Sequence, residues 1–240
     1  MTNSKGPDLQ LLYRDQDIVG VNKPPGLLVH PPRSKRRPRH TLMQMVRDEV
    51  GQYVYPVHRL DKPVSGATVF GLSKKAARVL KENWHNDETV KEYVALCFGS
   101  PPLEGEWRSP LTKDGTSKSV EQKAITKFRV LHYFENMALV KVTLLTGRKH
   151  QIRRHFSTNS FPLVGDTDYG KERWNAEFRE KYGEKGLFLH ARNLTFVHPF
   201  ELKKVHLHAP LPTGFDRALE GVTHSEGLEL TEITEKVQKT

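Results

Sequence analysis

The segment 58–66, with the sequence HRLDKPVSG, places an arginine and a carboxylate at alternate positions just before a turn. Alternate side chains of a β-strand lie on one face, so Arg59 and Asp61 are predicted to point the same way. Pro63 and Gly66 predict a turn, and a turn after a strand presents a reactive group on a rigid support. An aspartate before a turn also commonly bonds the local backbone, so this segment alone leaves both interpretations open.

A second cluster, TGRKHQIRRH at residues 146–155, lies at a predicted strand-to-helix junction. Its four cationic side chains are Arg148, Lys149, Arg153 and Arg154. The free N–H groups and the dipole of a helix N-terminus attract anions. Added arginines and lysines there predict a phosphate-binding edge or a partner for a buried carboxylate. The alternative is a solvated basic helix face, with Ile152 and Phe156 turned toward the core.

The segment 33–40 carries five fixed positive charges in eight residues. They are Arg33, Lys35, Arg36, Arg37 and Arg39. Such a run repels itself and rarely folds alone, so it is predicted to be either a solvated linker or a flexible arm that grips phosphates. An arm of this kind would bind without reading sequence.

The composition favours a polyanionic partner. Lys and Arg number 38 against 28 Asp and Glu, which gives a net charge of +10 and a pI of about 9.6. Nucleic acid is the first candidate and an anionic membrane surface the second. The 240 residues suit one large domain, or one domain with a small lobe. No run of 18 apolar residues or signal-peptide pattern occurs, so we expect a cytoplasmic protein that does not span a membrane.

Several other chemistries are not supported. The single cysteine, Cys97, excludes an internal disulfide and a Cys-based zinc site. Four histidines near the C-terminal end invite a metal hypothesis, but no HExxH pattern accompanies them, so we expect no metal. They are His190, His198, His206 and His208. No glycine-rich nucleotide loop occurs, and the order His-Arg-Leu-Asp differs from the His-Arg-Asp of protein kinases.

The hydrophobic patterning predicts more strands than helices. Strands are expected within 11–23 (interrupted by a turn at 15–17), 53–61, 67–72, 92–98, 124–130, 138–145, 187–190, 194–197 and 205–208. Helices are expected after Thr41 up to Gly51, after Ser73, and from Thr146 or Gly147. Mostly hairpin-spaced strands favour an α+β fold on a largely antiparallel sheet with flanking helices and loops.

The segments between these elements complete the predicted organisation. Residues 101–118 and 165–183 are rich in polar residues, glycine or proline, and are expected to be loops or a short hairpin. The domain is predicted to cover 1–220, and the polar residues 221–240 are predicted to form a loose tail.

Six motifs, in this order, resemble those of the RluA-type pseudouridine synthases, over roughly residues 11–213. They are NKPPGLLVHP, HRLDKPVSG, KEYVAL, TGRKHQIRRH, FPLVGDTDYG and FLHARNLTFVHPF. Within the family, the likeness favours the branch that modifies uridine 65 of certain tRNAs. We expect no counterpart of the small S4 RNA-binding domain that many relatives carry. Val64 stands where family members usually have Thr or Ser, which removes a hydroxyl beside the motif.

The resemblance implies a pseudouridine synthase catalytic fold with an active-site cleft across the sheet, and no cofactor. It implies Asp61 as the nucleophilic carboxylate and Arg59 as the residue that helps to hold a flipped-out nucleotide. Tyr93, which by itself is more typical of a core aromatic, matches a base-stacking and proton-handling tyrosine. Arg153 matches the basic residue that pairs with the aspartate, and Ile152 matches an apolar pocket residue.

Physical chemistry agrees with these implied roles. Burial raises a carboxyl pKa and a nearby guanidinium lowers it by about 1–3 units, so an aspartate–arginine pair keeps a nucleophile ionised. The target base must leave its stack, and an aromatic ring offers it about 1–3 kcal/mol of stacking. The predicted partner is therefore RNA, with tRNA favoured, and no obligate protein partner is evident. The same chemistry on ribosomal RNA or on several RNAs remains an alternative, as does an RNA-binding protein without catalysis.

Overall fold

The computed structural model describes residues 9–31, 40–112, 120–228, 231, 233 and 235. The chain divides into two compact units. The first comprises the described residues of Met1–Thr89 and Ala191–Pro210, and the second those of Val90–His190 and Leu211–Thr240. No helix in these described ranges is long and apolar enough to cross a membrane.

The strands, in chain order, are β1 (Gln10–Arg14), β2 (Ile18–Lys23), β3 (Tyr55–Pro56), β4 (Ser65–Gly71), β5 (Val90–Phe98), β6 (Glu104–Trp107), β7 (Leu111–Thr112), β8 (Glu121–Gln122), β9 (Thr126–Tyr133), β10 (Met137–Leu144), β11 (Leu189–Val197) and β12 (Lys204–His208). The helices are α1 (Leu42–Val50), α2 (Lys74–Glu82), α3 (Gln151–Thr158), α4 (Glu172–Tyr182) and α5 (Thr213–Ser225). The α+β prediction with a largely antiparallel sheet is confirmed.

In the first unit β2 lies between β1 and β4, and both pairings are antiparallel. Other elements cover both faces of β2, so side chains at alternate positions of this strand pack in two separate hydrophobic clusters. Ile18 packs in a cluster with residues of α2, β4, β11 and β12, whereas Val19 and Val21 pack with residues of α1. This strand ends at Lys23, whose register partner is Gly66 of β4. The ends of both strands therefore support the segment that contains Asp61.

In the second unit β5, β10, β9 and β6 pair antiparallel in that order. Tyr93 of β5 lies opposite Val142 of β10, and Thr126 of β9 lies opposite Trp107 of β6. Aromatic side chains of α4 and α5, among them Phe178 and Phe215, fill the core against this sheet. Strands β7 and β8, which lie between β6 and β9 in the sequence, form a separate two-stranded antiparallel sheet.

Local sequence signals located several elements correctly. The turn between β1 and β2 forms because Asp15 Oδ1 accepts the backbone N–H groups of Asp17 and Ile18, at 2.8 Å each. Helix α1 begins after Thr41 and ends at Gly51, which adopts a φ of 75° and donates its N–H to Arg47 O.

The predicted strand 53–61 is wrong beyond Pro56. The Nε2 atom of His58 accepts the backbone N–H of Val69 at 3.3 Å, so a side chain replaces the strand carbonyl that would continue the ladder. Val57 and Leu60 are then both buried although they are three residues apart. Arg59 and Asp61 consequently do not lie on a strand, and the alternation argument does not apply to them.

Other boundaries also differ from the predictions. Helix α3 begins at Gln151 rather than at residue 146 or 147, since the Gln151 side chain holds the preceding turn. The predicted loops contain β6 and β7 and, in 165–183, helix α4, which buries only Asn175 and Phe178 and so lacks a long apolar stripe. The two short strands predicted at 187–197 form the single strand β11, and α5 runs past residue 220 to Ser225.

Candidate active site

In the first unit Asp61 opens a tight turn between β3 and β4. The backbone N–H of Val64 donates to Asp61 O at 3.1 Å, which closes the turn across Lys62 and Pro63. Asp61 is partly buried, whereas the Lys62 side chain is exposed. The sequence prediction of a carboxylate at a turn is confirmed.

Beneath this turn lies Lys23, whose side chain is completely buried. Its Nζ donates to three backbone carbonyls, those of Pro24 at 2.9 Å, Leu27 at 2.7 Å and Lys62 at 3.1 Å. Three acceptors match the three protons of an ammonium group. The Lys62 carbonyl also accepts the Gly26 N–H at 2.9 Å. Lys23 therefore ties the NKPPG segment to the residue next to Asp61.

Burial lowers the pKa of Lys23 from 10.5 to about 7, and the negative charge of Asp61 opposes that shift. The charge of Asp61 is thus felt by a cation inside the same unit. The lysine of the NKPPG motif is a residue for which the sequence analysis predicted no role. A lysine between an apolar strand and Pro-Pro-Gly was the available signal, because burying one requires carbonyl partners.

Arg59 is exposed. Its Nη1 lies 3.3 Å from His30 Nε2, and His30 Nδ1 lies 3.0 Å from Pro31 O. The carbonyl of Pro31 only accepts, so His30 carries its proton on Nδ1 and accepts from Arg59 on Nε2. His30, another residue that the sequence reasoning missed, therefore orients Arg59.

Gly66 allows β4 to start directly after the turn. Its φ is +117°, and an added Cβ would lie 2.3 Å from the carbonyl oxygen of Ala191. No side chain fits there, so the glycine of HRLDKPVSG is required by packing as well as by backbone conformation.

In the second unit, Gln151 organises the start of α3. Its Oε1 accepts from Thr146 Oγ1 at 2.8 Å and from the Arg148 N–H at 3.0 Å. Its Nε2 donates to Ile125 O and to Thr126 Oγ1, each at 3.0 Å. Through these four hydrogen bonds, the buried amide of Gln151 joins the basic turn before α3 to the start of β9.

His155 extends the same network one turn later. It is fully buried, and its Nε2 lies 2.9 Å from Ser109 O, which can only accept. The proton is therefore on Nε2, and Nδ1 accepts from Thr126 Oγ1 at 2.9 Å. Burial and the nearby charge of Arg154 hold the pKa of His155 below its ordinary value, although the Ser109 carbonyl opposes this.

Arg153 is buried, with only 2% of its side chain exposed, and it forms a two-point contact with Asp166. Nε donates to Asp166 Oδ2 at 2.8 Å, and Nη2 donates to Asp166 Oδ1 at 2.7 Å. Nη2 also donates to Asp168 Oδ2 at 2.7 Å. Burial alone would raise the pKa of Asp166, but hydrogen bonds from Arg153, Tyr169 and Asp168 together hold it below the ordinary value.

Tyr169 also contacts this arginine through its ring. The guanidinium carbon of Arg153 lies 5.0 Å from the centre of the Tyr169 ring, and the Tyr169 hydroxyl lies 2.9 Å from His150 Nδ1. His150 has a φ of 54°, a conformation that few residues other than glycine adopt. It immediately precedes α3. Asp166, Asp168 and Tyr169 lie in the FPLVGDTDYG motif, for whose individual residues the sequence analysis predicted no roles.

The other predicted site residues of this unit are placed as follows. Ile152 and Tyr93 are buried, at 4% and 9% exposure. Arg148 is partly buried and donates from Nε to Lys123 O at 3.0 Å, whereas Lys149 is exposed. The arm residues Arg33, Lys35, Arg36 and Arg37 lie outside the described residues. The solvated-face alternative for α3 is wrong at Arg153, which is buried.

A possible metal group in the first unit comprises Asp15, Asp17 and His198. His198 Nδ1 accepts the backbone N–H of Glu201 at 3.0 Å, so the neutral ring carries its proton on Nε2. That nitrogen lies 3.1 Å from Asp15 Oδ2 and offers no lone pair to an ion. The donor set therefore does not fit a metal.

Two other histidines of the metal hypothesis take part in a hairpin contact. His206 Nδ1 lies 2.9 Å from Thr195 Oγ1, and His208 Nδ1 lies 2.8 Å from Asn193 Oδ1. Both contacts join facing positions of β11 and β12.

The chain is similar to known proteins in both sequence and structure. The family model described as RNA pseudouridylate synthase matches residues 17–158. A protein of Haemophilus ducreyi named tRNA pseudouridine synthase C is 37% identical over 85% of this chain and 91% of its own length. One of Vibrio vulnificus with the same name is 35% identical over 88% of this chain and 94% of its own length.

Among solved structures, human RNA Pseudouridylate Synthase Domain Containing 4 is similar, with a TM-score of 0.72 and 27% identity. The match covers 89% of this chain and 92% of that one. The family match over more than half of the chain, and relatives above 30% identity over most of it, lead to one conclusion. The chain belongs to the RNA pseudouridylate synthase family.

Proposed function

We propose that this protein converts uridine to pseudouridine in tRNA, with Asp61 as the nucleophile. The observation that carries the proposal is the turn that presents Asp61 above the buried ammonium of Lys23, in a chain whose relatives are named tRNA pseudouridine synthase C. In this proposal the nucleophile is a carboxylate, and only the ionised form of a carboxylate attacks.

The reaction is an isomerisation in which atoms and electrons balance within one nucleotide. The bond between N1 and the sugar C1′ breaks, the uracil turns, and a bond between C5 and C1′ forms. The hydrogen of C5 leaves as a proton, and N1 gains one. Neither a redox step nor phosphate activation is involved. A carboxylate nucleophile, a side chain that moves protons and a pocket for the everted base are therefore sufficient machinery.

The remaining site residues receive roles that follow from their chemistry. Arg153 supplies positive charge for the reaction, and Tyr93 provides a ring for stacking and a hydroxyl for proton handling. Ile152 contributes an apolar wall to the pocket. Arg59 contacts the everted nucleotide from an exposed position supported by His30. Arg148 and Lys149 contact phosphates at the start of α3, where the helix dipole adds to their charge.

Affinity for the RNA comes mainly from the excess of positive charge. The arm residues Arg33, Lys35, Arg36, Arg37 and Arg39 bind the phosphate backbone. Their replacement by glutamine is expected to reduce the dependence of tRNA affinity on the logarithm of salt concentration, by about 0.7–0.9 for each phosphate that the variant no longer binds. An unchanged slope would show that the arm does not touch RNA.

We also propose that the target is uridine 65 of tRNA and that residues 1–220 form the catalytic domain, with its active-site cleft across the sheet. The family match at 17–158 includes residues of both compact units, which supports treating them as one catalytic domain. A tRNA substrate favours a cytoplasmic location.

The decisive experiment compares the wild type with Asp61→Asn and Asp61→Ala. Release of tritium from tRNA labelled at C5 of its uridines measures turnover, and filter binding measures affinity. We expect both variants to reduce turnover by at least about 10⁴-fold while they retain tRNA binding, because a neutral side chain cannot act as the nucleophile. Lys62→Met, which changes an exposed neighbour of Asp61, is the matched control. Normal turnover in Asp61→Asn would refute the assignment.

Ribosomal RNA, or several RNAs, is the second candidate substrate, since the positive charge that binds tRNA would bind any RNA. Mapping pseudouridine in total RNA from cells with and without the gene separates the two. Loss of a ribosomal site with tRNA unchanged would overturn the tRNA assignment. If the purified protein binds tRNA but converts no uridine in any RNA, it is a binding protein.

A further inference from the structure

The environment of Arg153 carries an inference about how the second unit prepares its site. The hydrogen bonds and the ring contact described for this guanidinium are all made by residues 166–169. Asp166 grips Nε and Nη2, and Asp168 adds a second acceptor for Nη2. Tyr169 stacks beneath the guanidinium plane, at 5.0 Å. A planar group held at its edge and its face has little freedom to rotate.

The clamping segment is itself fixed by the helix that carries Arg153. Asp166 Oδ1 accepts the N–H groups of Asp168 and Tyr169, each at 3.0 Å, which shapes the loop. Ser157 Oγ donates to Tyr169 O at 2.7 Å, and the Tyr169 hydroxyl meets His150 Nδ1 at 2.9 Å. The loop is therefore bonded to both ends of α3.

The charge balance indicates why such a clamp is present. An arginine whose side chain is only 2% exposed requires compensation, and one carboxylate, Asp166 at 1% exposure, is enough to supply it. Asp168 is 58% exposed, so its contact is not forced by burial. Asp168, the ring of Tyr169 and His150 in its left-handed conformation are more than neutralisation of the Arg153 charge requires.

We infer that Asp166, assisted by Asp168 and Tyr169, is a positioning residue that fixes the guanidinium of Arg153 for its task in the reaction. This inference rests on the proposed function in assigning Arg153 to the active site. Asp166 acts only through the arginine and does not touch the substrate. A guanidinium that is already oriented needs no reorganisation when charge develops, and a displacement of about 1 Å can cost about 10²-fold in rate.

The first arm of the test needs no activity. Asp166→Asn keeps the shape and one acceptor oxygen but removes the charge and one arm of the fork. In the wild type, the Nε–H of Arg153 is expected to exchange slowly with solvent in ¹⁵N NMR spectra, with its signal identified by its absence in Arg153→Lys. We expect at least about tenfold faster exchange in Asp166→Asn. Equal exchange would overturn the clamp, whatever the enzyme does.

The second arm measures single-turnover pseudouridine formation with saturating enzyme. We expect Asp166→Asn to lower the rate constant by about 10²-fold with little change in tRNA affinity, and Asp166→Glu to recover part of that rate. On an Arg153→Ala background, Asp166→Asn should have no further effect, because a positioning residue has then nothing to position. Additive effects in this cycle would overturn the inference.

Stability is separated from positioning by matched variants. Asp168→Asn changes an exposed carboxylate and should fold normally, yet lower the rate about two- to tenfold. Glu177→Gln, which breaks an exposed ion pair with Arg173, is the control and should leave the rate unchanged. If Asp166→Asn fails to fold, Asp168→Asn and Asp166→Glu carry the test, and wild-type rates in both would overturn it. A wild type that converts no uridine would refute the proposed function, while the exchange result would still decide the clamp.

A second, independent observation concerns the outer face of α2 in the first unit. Its cationic residues stand at i, i+4 and i+7 and line one surface depression together with Tyr55. They are Lys74, Arg78 and Lys81. They share one helix face that is about 10 Å long. The acid in the depression, Glu82, forms only an exposed 3.9 Å contact with Arg78 and so neutralises little.

An exposed aromatic ring lies beside this cationic face. Tyr53 is 58% exposed, and its ring centre lies 4.9 Å from that of Tyr55, which lines the depression. Cations in a row with an exposed ring suit a phosphodiester backbone with an unstacked base.

We propose that this α2 face binds the phosphate backbone of the RNA substrate. It rests on the proposed function only in taking RNA as the substrate. The test measures tRNA affinity by filter binding across a salt series, and single-turnover rates on the same preparations. The test variant replaces Lys74, Arg78 and Lys81 by glutamine, and the control replaces three exposed lysines of equal charge, at 171, 185 and 204.

We expect the test variant to flatten the plot of log affinity against log salt by about 0.7–0.9 for each phosphate that it no longer binds. The rate at saturating enzyme should stay at the wild-type value. An unchanged slope, or an equal change in the control, would overturn the proposal. A wild type that binds tRNA with the expected slope but forms no pseudouridine would refute only the proposed function.

Discussion

The buried ammonium of Lys23 donates to the carbonyl oxygen of Lys62 at 3.1 Å, and Lys62 directly follows Asp61. The two lysines are 39 positions apart in sequence. One charged side chain thus fixes the backbone beside the proposed nucleophile and also feels its charge. We therefore expect stability and activity to be coupled at this point.

Replacing Lys23 by methionine is expected to destabilise the protein by about 3 kcal/mol in urea unfolding, because three buried carbonyls lose their donor. Turnover should fall with it, since the Asp61 turn loses its support. Lys62→Met, whose side chain is exposed, is the control and should change stability by less than about 0.5 kcal/mol. Equal stability of the two variants would contradict the assigned role.

Lys23 also predicts a pH dependence. Its pKa in the folded state is about 7, well below the 10.5 of an unburied lysine, so between these values the unfolded chain binds more protons. The free energy of unfolding therefore rises with pH across this window, by up to about 1.4 kcal/mol per unit. The difference between wild type and Lys23→Met in urea titrations at pH 7, 8 and 9 measures this contribution. A difference that does not change with pH would show that Lys23 keeps its ordinary pKa.

His155 predicts a similar pH dependence on the acid side, because burial also lowers its pKa. Its pKa is lowered in the folded protein, so below about pH 6.5 the unfolded chain takes up a proton that the folded chain resists. Stability should fall as the pH drops from 7 to 5, with a slope of at most about 1.4 kcal/mol per unit. His155→Gln should flatten this slope, and His206→Gln, at an exposed position, should not. The measurement is urea unfolding at each pH.

Gly66→Ala tests the close approach of β4 to Ala191. An added Cβ would lie 2.3 Å from a backbone oxygen, where nothing flexible can move aside. We expect a destabilisation of more than about 3 kcal/mol, or failure to fold. Gly26→Ala is the matched control, since Gly26 has a φ of +80° but open space around it, and should cost about 1 kcal/mol. Similar destabilisation in circular-dichroism melts would show that backbone strain alone decides.

The elements that the sequence predicted well are those whose determinants are local. The β1–β2 turn needs only the side chain of Asp15 and the N–H groups of Asp17 and Ile18. Helix α2 begins where Ser73 Oγ accepts the N–H of Ala76, three residues later. Such contacts lie within a few positions of the chain, so the residue types specify them.

The elements that it missed depend on distant partners. The strand predicted at 53–61 stops early because His58 takes the N–H of Val69, eleven residues away. The late start of α3 follows from Gln151, whose amide also bonds Ile125 and Thr126 of the sheet. Neither contact leaves a periodic pattern, so hydrophobic periodicity could not reveal them.

The sequence by itself determined which chemistry is available: an aspartate at a turn, an arginine after a basic turn, and an excess of positive charge for RNA. Only the tertiary structure decided how those charges are held. Asp166 neutralises the buried Arg153, and the carbonyls of Pro24, Leu27 and Lys62 solvate the buried Lys23. A charge leaves water only where partners replace its hydration, and several of these partners come from other parts of the chain.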